Sequence, residues 1–580
     1  MISWKRWWPG LSEDLPVDVL PASNGEFVPA PPTYEQQLIM RMANDQTERV
    51  RRKFNMSRRQ FVRTGAAMGI GFWAIDRVMG GKLGSFGTPA RAADDQSIRA
   101  CDLDNPDAQL ANLPGEFIFD IQSHHVESDG AWRVTNPAFH AFFAAIWAQA
   151  GPVTGPPPGM NQYGVHGSGY GGEIDPIENL SRFHYLKELF LDSSTTMTVL
   201  SAVPASPDST QPLPIDRAAL TVETVNSLAH SQRTVMHAFV MPNRGAGGFG
   251  ASSVGAKPVY MQAEFDTMEQ RAAQYRDILC AWKTYPAWGD VPYASGWFFD
   301  DEVVGQSFIQ QVRDLGDKYN IPKLIATHKG FALPGFDQRG ASPRDIGVAA
   351  RRNPDVGFIV YHSGYDTETQ TAYPGDSKVN AADRGVDSLV KSLRENAWDA
   401  SHFVAAGKTF GNVPNVYAEI GSTWRGVMGS PDEAAHLLGK LITHVGPKRI
   451  CWGTDSLWFG SPQSEIVAFR KFEFSDQGKE LYGLPYGLEG DCEDPTQAAP
   501  TPDRTIRNAI FGRNAAAVYR VDPDATRKKM ACDDVQKIRD QYILNQYTAK
   551  ENVPLASNQI LGARTSAELF KQRANQPWGP

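Results

Sequence analysis

Cysteine is scarce: the 580 residues hold five, at 101, 280, 451, 492 and 532. None forms a CxxC pair and the number is odd, which excludes a disulfide framework or a cysteine-rich metal knot as the organising device. Cys280 and Cys451 fall inside apolar, strand-like runs and are expected to be buried small hydrophobes. Long hydrophobic stretches are missing too, because no apolar run approaches the ~20 residues of a membrane-spanning helix. A basic excess is absent from most of the chain. Residues 1–92 hold 13 Lys and Arg against 8 Asp and Glu, a balance of +5 within a total of −8, so the remainder stands at −13. A body that acidic repels phosphate backbones and anionic bilayers, which argues against nucleic acid or a lipid surface as the main partner. What is present is the composition of a large folded protein, 41% apolar and 21% charged, with 52 Gly and 40 Pro for loops.

The basic N-terminal excess has a pattern. Residues 57–62 read SRRQFV after RVRRKFNM, a weakly apolar TGAAMGIGFWAI follows at 64–75, and ARAAD places Ala90 and Ala92 in a small-x-small arrangement. Paired arginines, a modest apolar segment and an Ala-x-Ala site resemble a twin-arginine export signal. This resemblance implies handling by the twin-arginine translocation machinery, a periplasmic destination and a mature chain beginning near Ala93. Three regions follow: an N-terminal extension and signal region over 1–92, a large domain over 93–525, and a polar, helical extension over 526–580. Oligomeric state is not legible.

Between 115 and 456 short β-rich runs alternate with helical patterns. The runs are FIFDIQ (117–122), MTVLSA (197–202), TVMHAFV (234–240), ILCAWKT (278–284), KLIATH (323–328), GFIVYH (357–362), NVYAEI (415–420) and RICWGTD (449–455). Amphipathic stretches such as AFHAFFAAIWAQA, IDRAALTVETVNSLAHSQ, VGQSFIQQVRDLGDKY and SPDEAAHLLGKLITHV lie between them. Short apolar runs separated by helices are the mark of parallel βα units, and eight units predict a (β/α)₈ TIM barrel with enlarged loops. The Gly- and Pro-rich stretch 151–173, the loop 245–256 and the segment 474–505 are expected to shape its mouth.

In such a barrel, chemistry collects where each strand meets its following loop. Those ends carry His124, Lys283, His328, His362, Glu419 and Asp455, which span more than 300 positions of sequence and converge only in a barrel. Strand alternation would place Asp120, Gln122 and His124 on one face, with Ser123 and His125 on the other. The run Asp300-Asp301-Glu302 precedes a helical segment and is read as N-terminal capping. His125, His166, His184, His230, His237, His436 and His444 have no supporting pattern and are read as structural or surface residues.

The motifs FDIQSHH (119–125), THKG (327–330), VYHSGY (360–365), WGTDSLWFGSPQ (452–463) and IFGRNAAAVY (510–519) resemble the amidohydrolase-related proteins. The branch is the one that contains aminocarboxymuconate semialdehyde decarboxylase, and the resemblance covers roughly 115–525. It implies two metal-ligating histidines on the first strand, which fall on Gln122 and His124, and a further ligand at His328. It also implies an acid or base at His362, and an aspartate at 455 that binds metal and handles a proton. Lys283 stands where two-metal relatives place a carbamylated lysine, and Glu419 is a further possible site residue. Glutamine in place of the first histidine leaves a weak ligand there.

Three ligands, His124, His328 and Asp455, suit one divalent ion with an open position, zinc first, with manganese or iron also compatible. The implied activity is metal-dependent hydrolysis of a C–N or C–O bond in a small-molecule substrate. Two alternatives stand beside it. One is a decarboxylase on the same scaffold, with Lys283 or Arg425 binding the carboxylate. The other is a metal-free periplasmic binding or scaffold protein.

Overall fold

A computed structural model describes residues 115–135, 180–204, 211–244, 260–288, 296–331, 338–365, 385–398, 403–405, 408–411, 413–428, 430–458, 460–530 and 533–539, with residue 177 and a few positions between 43 and 57. The paired arginines, the expected cleavage site near Ala93, the helix expected at 138–150, the stretch 151–173, the loop 245–256 and the chain beyond 539 lie outside these residues.

Eight parallel strands pair in sequence order. They are β1 (Phe119–Ser123), β2 (Met197–Leu200), β3 (Thr234–Phe239), β4 (Leu279–Thr284), β5 (Leu324–His328), β6 (Gly357–Tyr361), β9 (Val416–Glu419) and β10 (Ile450–Cys451). Each coincides with one of the eight apolar runs. A separate antiparallel hairpin, β7 (Phe403–Ala405) and β8 (Lys408–Phe410), is inserted before β9 and was not foreseen from the sequence. The sheet closes on itself past the end of β10. Ile121 N–H donates to the Trp452 carbonyl (3.1 Å), Asp455 N–H to the Gln122 carbonyl (2.8 Å) and Leu457 N–H to the His124 carbonyl (3.1 Å). The fold is a (β/α)₈ TIM barrel.

Alternation within the strands sorts their side chains into two cores. Ile118, Val240, Trp282, Ile325, Phe358, Ala418 and Trp452 face outward and pack beneath helices such as Gly305–Tyr319 and Pro431–His444. Phe119, Ile121, Met197, Val199, Ala281, Leu324, Ile359 and Cys451 face inward and fill the barrel, which Ala515, Ala516 and Tyr519 plug. Both Cys280 and Cys451 are buried free thiols, as expected. Asp301 Oδ1 accepts from the backbone N–H groups of Val303 (2.9 Å) and Val304 (2.7 Å), so it holds the turn that leads into the helix Gly305–Tyr319, whose own N-cap Val304 has no side-chain cap, and the capping expected of the acidic run is displaced to that turn.

One irregularity positions the site. The β1–β2 register shifts between Asp120 and Ser123, a β-bulge that puts an extra residue into β1. Ile121 and Gln122 therefore both turn inward, and Asp120 does not share a face with Gln122 and His124. Its carboxyl instead meets Thr454 Oγ1 and the Thr454 backbone N–H on the outer side of the sheet. This corrects the alternation expected from sequence, because period-2 reasoning cannot see a bulge. Tyr361 on β6 reaches across the barrel, and its hydroxyl donates to the carbonyl of Ile121 at 2.6 Å, tying down the bulge.

Candidate active site

The loop ends of the strands bring the expected residues into one cluster around Asp455. His124 Nε2 stands 3.0 Å from Asp455 Oδ1. Gln122 Nε2 donates to the same oxygen at 2.9 Å and lies 3.3 Å from His362 Nε2. The ring of His328 meets that of His362 edge to face, with centroids 4.6 Å apart. The four groups differ in access. His124 and His362 are 2% exposed, whereas His328 keeps 5% and Asp455 8%, so solvent reaches the cluster from the Asp455 and His328 side.

Each histidine is oriented by a carbonyl. His124 Nδ1–H donates to Ser201 O (2.9 Å) and His362 Nδ1–H to Gly421 O (2.8 Å), which leaves both Nε2 atoms facing the cluster. Backbone carbonyls holding the far nitrogen are the usual device for presenting an imidazole to an ion or a proton. His328 differs, because its Nε2–H donates to Phe331 O (3.2 Å). Aromatic rings back all three: Trp458 stacks on His124 (5.2 Å), Tyr285 on His328 (5.3 Å), and Phe331 meets His362 edge-on (5.3 Å).

The electrostatics separate an anion from neutral bases. Burial alone would raise the Asp455 carboxyl, but hydrogen bonds from His124 and Ser422 and the nearby imidazoles hold it well below the usual carboxylate range. Burial pushes His362 down to about 4 against the pull of Asp455 and Gly421. Burial, reinforced by His362 and Lys283, also drives His328 well below its ordinary value. Burial thus favours the neutral form of His328 and His362, beside a carboxylate held in its ionised form.

The remaining expected residues are close but differently employed. Glu419 is buried, accepts from His362 N–H at 2.9 Å and from Gly421 N–H, and is pushed well above its ordinary value by burial. Its job is to hold the two backbone turns that carry the site. Any side chain at Gly453 would collide with Glu419 and Gln122, so this inward position on the last strand has to be glycine. Lys283 is wholly buried with no hydrogen-bond partner for Nζ among the described residues, and Nζ lies 3.2 Å from the Tyr361 ring centroid and 4.7 Å from that of Tyr285. Burial drives its amine well below the ordinary value, with Asp455 and Glu419 only partly offsetting. Arg425 is paired with the buried Glu465 at 2.9 Å.

Several residues at the site escaped sequence reading. Ser422 Oγ donates to Asp455 Oδ2 at 2.5 Å. The Lys329–Asp345 ion pair (2.9 Å), fully buried, ties the loop behind His328 to Phe299 N–H. Breaking such a pair leaves an uncompensated buried charge at a cost of about 3–5 kcal/mol. Only the Trp458 ring, three residues after Asp455, had a local signal, since aromatic residues beside a strand-end acid suggest a site wall.

Asp120 provides a pH signature for the outer side of the site. Burial raises its carboxyl from 3.8 to about 8, despite hydrogen bonds from Thr454 and the Gln122 N–H. The folded state therefore binds a proton that the unfolded chain has released, a contribution present in full below ~4 and lost as pH rises through 8. Asp120→Asn can keep the two backbone N–H bonds at Oδ1, with its amide NH2 donating to Thr454 Oγ1 where the carboxylate accepts, and it does not titrate. The melting temperature of the natural protein is expected to fall between pH 7 and 9 more than that of the variant. Equal falls would mean that Asp120 is already ionised in the fold.

The donor set bears on a metal ion as follows. Among the described residues no three or more His, Cys, Asp or Glu side chains are grouped to grip an ion as they stand. Two donors do converge, His124 Nε2 and Asp455 Oδ1, and the buried Gln122 Oε1 has no hydrogen-bond partner among the described residues. With His328 released from Phe331 O, three protein ligands suit a single ion with an open position. Two ions do not fit, because Lys283 is enclosed by tyrosine rings and Glu419 is committed to backbone N–H groups.

A family model described as amidohydrolase matches residues 324–521. No curated protein matches the chain. Among solved structures, an amidohydrolase from Burkholderia multivorans with bound HEPES is 13% identical over 70% of this chain and 100% of its own, with a TM-score of 0.34. A 5-carboxyvanillate decarboxylase from Sphingomonas paucimobilis is 12% identical over 70% and 99%, with a TM-score of 0.35. A dihydroxybenzoic acid decarboxylase from Polaromonas with bound manganese and an inhibitor is 13% identical over 70% and 97%, with a TM-score of 0.34. The part of this chain that matches the amidohydrolase family is the run from β5 past the barrel plug, which carries His328, His362 and Asp455.

Proposed function

We propose that the protein is a metal-dependent hydrolase that cleaves a C–N or C–O bond of a small molecule, using one divalent ion held by His124, His328 and Asp455. The observation that carries this reading is the placement of the Asp455 carboxylate among the side chains of His124, Gln122 and Ser422. Asp455 Oδ1 faces His124 Nε2 at 3.0 Å, and the neutral His362 lies one amide away. Zinc suits the imidazole and carboxylate donors, and manganese or iron is compatible with the same set. When bound, such an ion acidifies a water and polarises a carbonyl.

The chain's own residues do the rest. His362, neutral above pH about 4, offers Nε2 as a proton acceptor and returns that proton to the leaving group. Gln122 holds His362 and Asp455 in register by donating one N–H to each. Trp458, Tyr285 and Phe331 keep bulk water from the sides of the cluster. Hydrolysis is favoured over decarboxylation because the two cations suited to a substrate carboxylate are otherwise engaged. Arg425 is paired with Glu465, and Lys283 is enclosed by Tyr361 and Tyr285. Metal analysis of the purified protein, followed by a screen of amide, ester, lactone and carboxylate substrates, tests this. A protein that holds no ion under any loading condition and turns over nothing is instead a binding or scaffold protein.

We also propose export through the twin-arginine pathway, on the strength of the SRRQF motif. No helix among the described residues is long and apolar enough to cross a membrane. Replacing Arg58 and Arg59 with lysine should leave the protein folded but cytoplasmic, as read by fractionation. Periplasmic delivery of the double variant at the natural level would sink the proposal.

A further inference from the structure

Eight non-glycine residues among the described ones have positive φ. His230 and Asn320 are helix C-caps and Arg520 follows the helix Asn514–Val518, places where a left-handed residue is routine. The other five, Phe331, His362, Ser363, Ser422 and Asp455, all lie just past the ends of β5, β6, β9 and β10. Backbone conformations of this kind persist where surrounding contacts over-determine them, and they gather at functional sites. Ser422 is far from an ordinary conformation. Its φ of 53° comes with ψ of −40°, outside even the left-handed helical region. Glycine would take this conformation with little strain, so the serine side chain has to return something for it.

We propose that Ser422 is a positioning residue. The turn Gly421–Ser422–Thr423 is wound into its strained form so that one short segment sets both Asp455 and His362. Ser422 Oγ donates to Asp455 Oδ2 at 2.5 Å, while Oδ1 is engaged by Gln122 Nε2 at 2.9 Å and faces His124 Nε2 at 3.0 Å. Both carboxylate oxygens are thereby held, and the group cannot rotate. The neighbouring carbonyl of Gly421 takes the Nδ1–H of His362 at 2.8 Å, which fixes Nε2 as the lone-pair nitrogen. Thr423 Oγ1 donates to the His362 carbonyl at 2.8 Å and closes the loop. Ser422 is 2% exposed, so water does not compete for its hydroxyl. The strain at 422 thus serves two side chains from different strands. Ser422 acts through Asp455, and the assignment rests on the reading of Asp455 and His362 as working groups.

Comparison of Ser422→Gly with Ser422→Ala tests it, because both lose the hydroxyl but only glycine relieves the backbone. The glycine variant should melt above the alanine variant by about 2 °C. Both should bind Mn²⁺ about tenfold more weakly than the natural protein in competition with a chelator, the loss typical of a partner that orients a ligand. A merely structural serine would lower the melting temperature of both and leave Mn²⁺ affinity unchanged, which overturns the proposal. So does a glycine variant less stable than the alanine one. If the natural protein itself binds no Mn²⁺, the metal reading fails, and a crystal structure of Ser422→Ala decides this proposal alone. An Asp455 carboxylate turned away from His124 supports it, and one left in place overturns it.

Discussion

His362→Asn is expected to keep its metal ion near the natural content and to lose turnover by ~10²–10⁴-fold, the range for removal of a general acid or base. The geometry explains the division. The Nδ1–H of His362 is committed to Gly421 O at 2.8 Å, its backbone N–H to Glu419 Oε2 at 2.9 Å, and its Nε2 faces the amide of Gln122. Nothing places that nitrogen against Asp455 as His124 Nε2 is placed. Burial holds the ring neutral down to a pH of about 4, so the turnover lost is that of a proton acceptor. The rate of the natural protein should fall as pH drops toward that value, since protonation occupies Nε2. Asparagine can keep the bond to Gly421 O but offers no titrating nitrogen. Metal content by elemental analysis and turnover on the same preparation decide the matter. Loss of the ion together with turnover would make His362 a ligand.

Asp455→Ala and His124→Ala should both empty the site, and Gln122→Ala should not. Asp455 is the charge on which Gln122 and Ser422 converge, and His124 is the imidazole that faces it most closely. Gln122 contributes differently from what its position in FDIQSHH suggests. Its amide nitrogen, not its oxygen, faces Asp455 and His362, and its Oε1 has no hydrogen-bond partner among the described residues. It therefore behaves as an orienting group, whose removal costs ~10–100-fold in affinity. Loss of His124 should exceed that. His328→Ala should also lose the ion, because His328 is the third ligand once it turns from the Phe331 carbonyl. Gln122→His would restore an imidazole and tighten zinc binding, with a fall in rate if the open position is filled. Chelator competition on the five variants separates these outcomes. Equal losses in Gln122→Ala and His124→Ala would make the glutamine a full ligand.

The barrel was legible in the sequence because its causes are local. Runs of four to six apolar residues are too short for helices and too evenly spaced for a sandwich, and all eight became barrel strands. The candidate residues were legible for the same reason. His124, Lys283, His328, His362, Glu419 and Asp455 lie at or just past strand ends, and a parallel barrel can only gather such ends on one face. The turn at Asp301 is equally local, since its carboxylate acts on N–H groups two and three residues away, although these precede the helix instead of capping it.

What each gathered residue does was decided by tertiary contacts from distant parts of the chain. A bulge in β1 sends Asp120 outward to Thr454, 334 residues away, while Gln122 turns inward. Glu419 and Lys283 have the same standing in the sequence as Asp455. Backbone N–H groups from β6 and the turn after β9 claim the first, and tyrosine rings from β4 and β6 enclose the second. Arg425, a plausible carboxylate binder by sequence, is neutralised by Glu465, 40 residues on. Ser422 carried no local signal at all, because its role depends on a strained φ and on an aspartate 33 residues later. Strand length and spacing follow from short-range sterics and burial, which neighbouring residues encode. Charge state, tautomer and side-chain direction depend on which groups share a water-poor interior, and only the folded chain determines that.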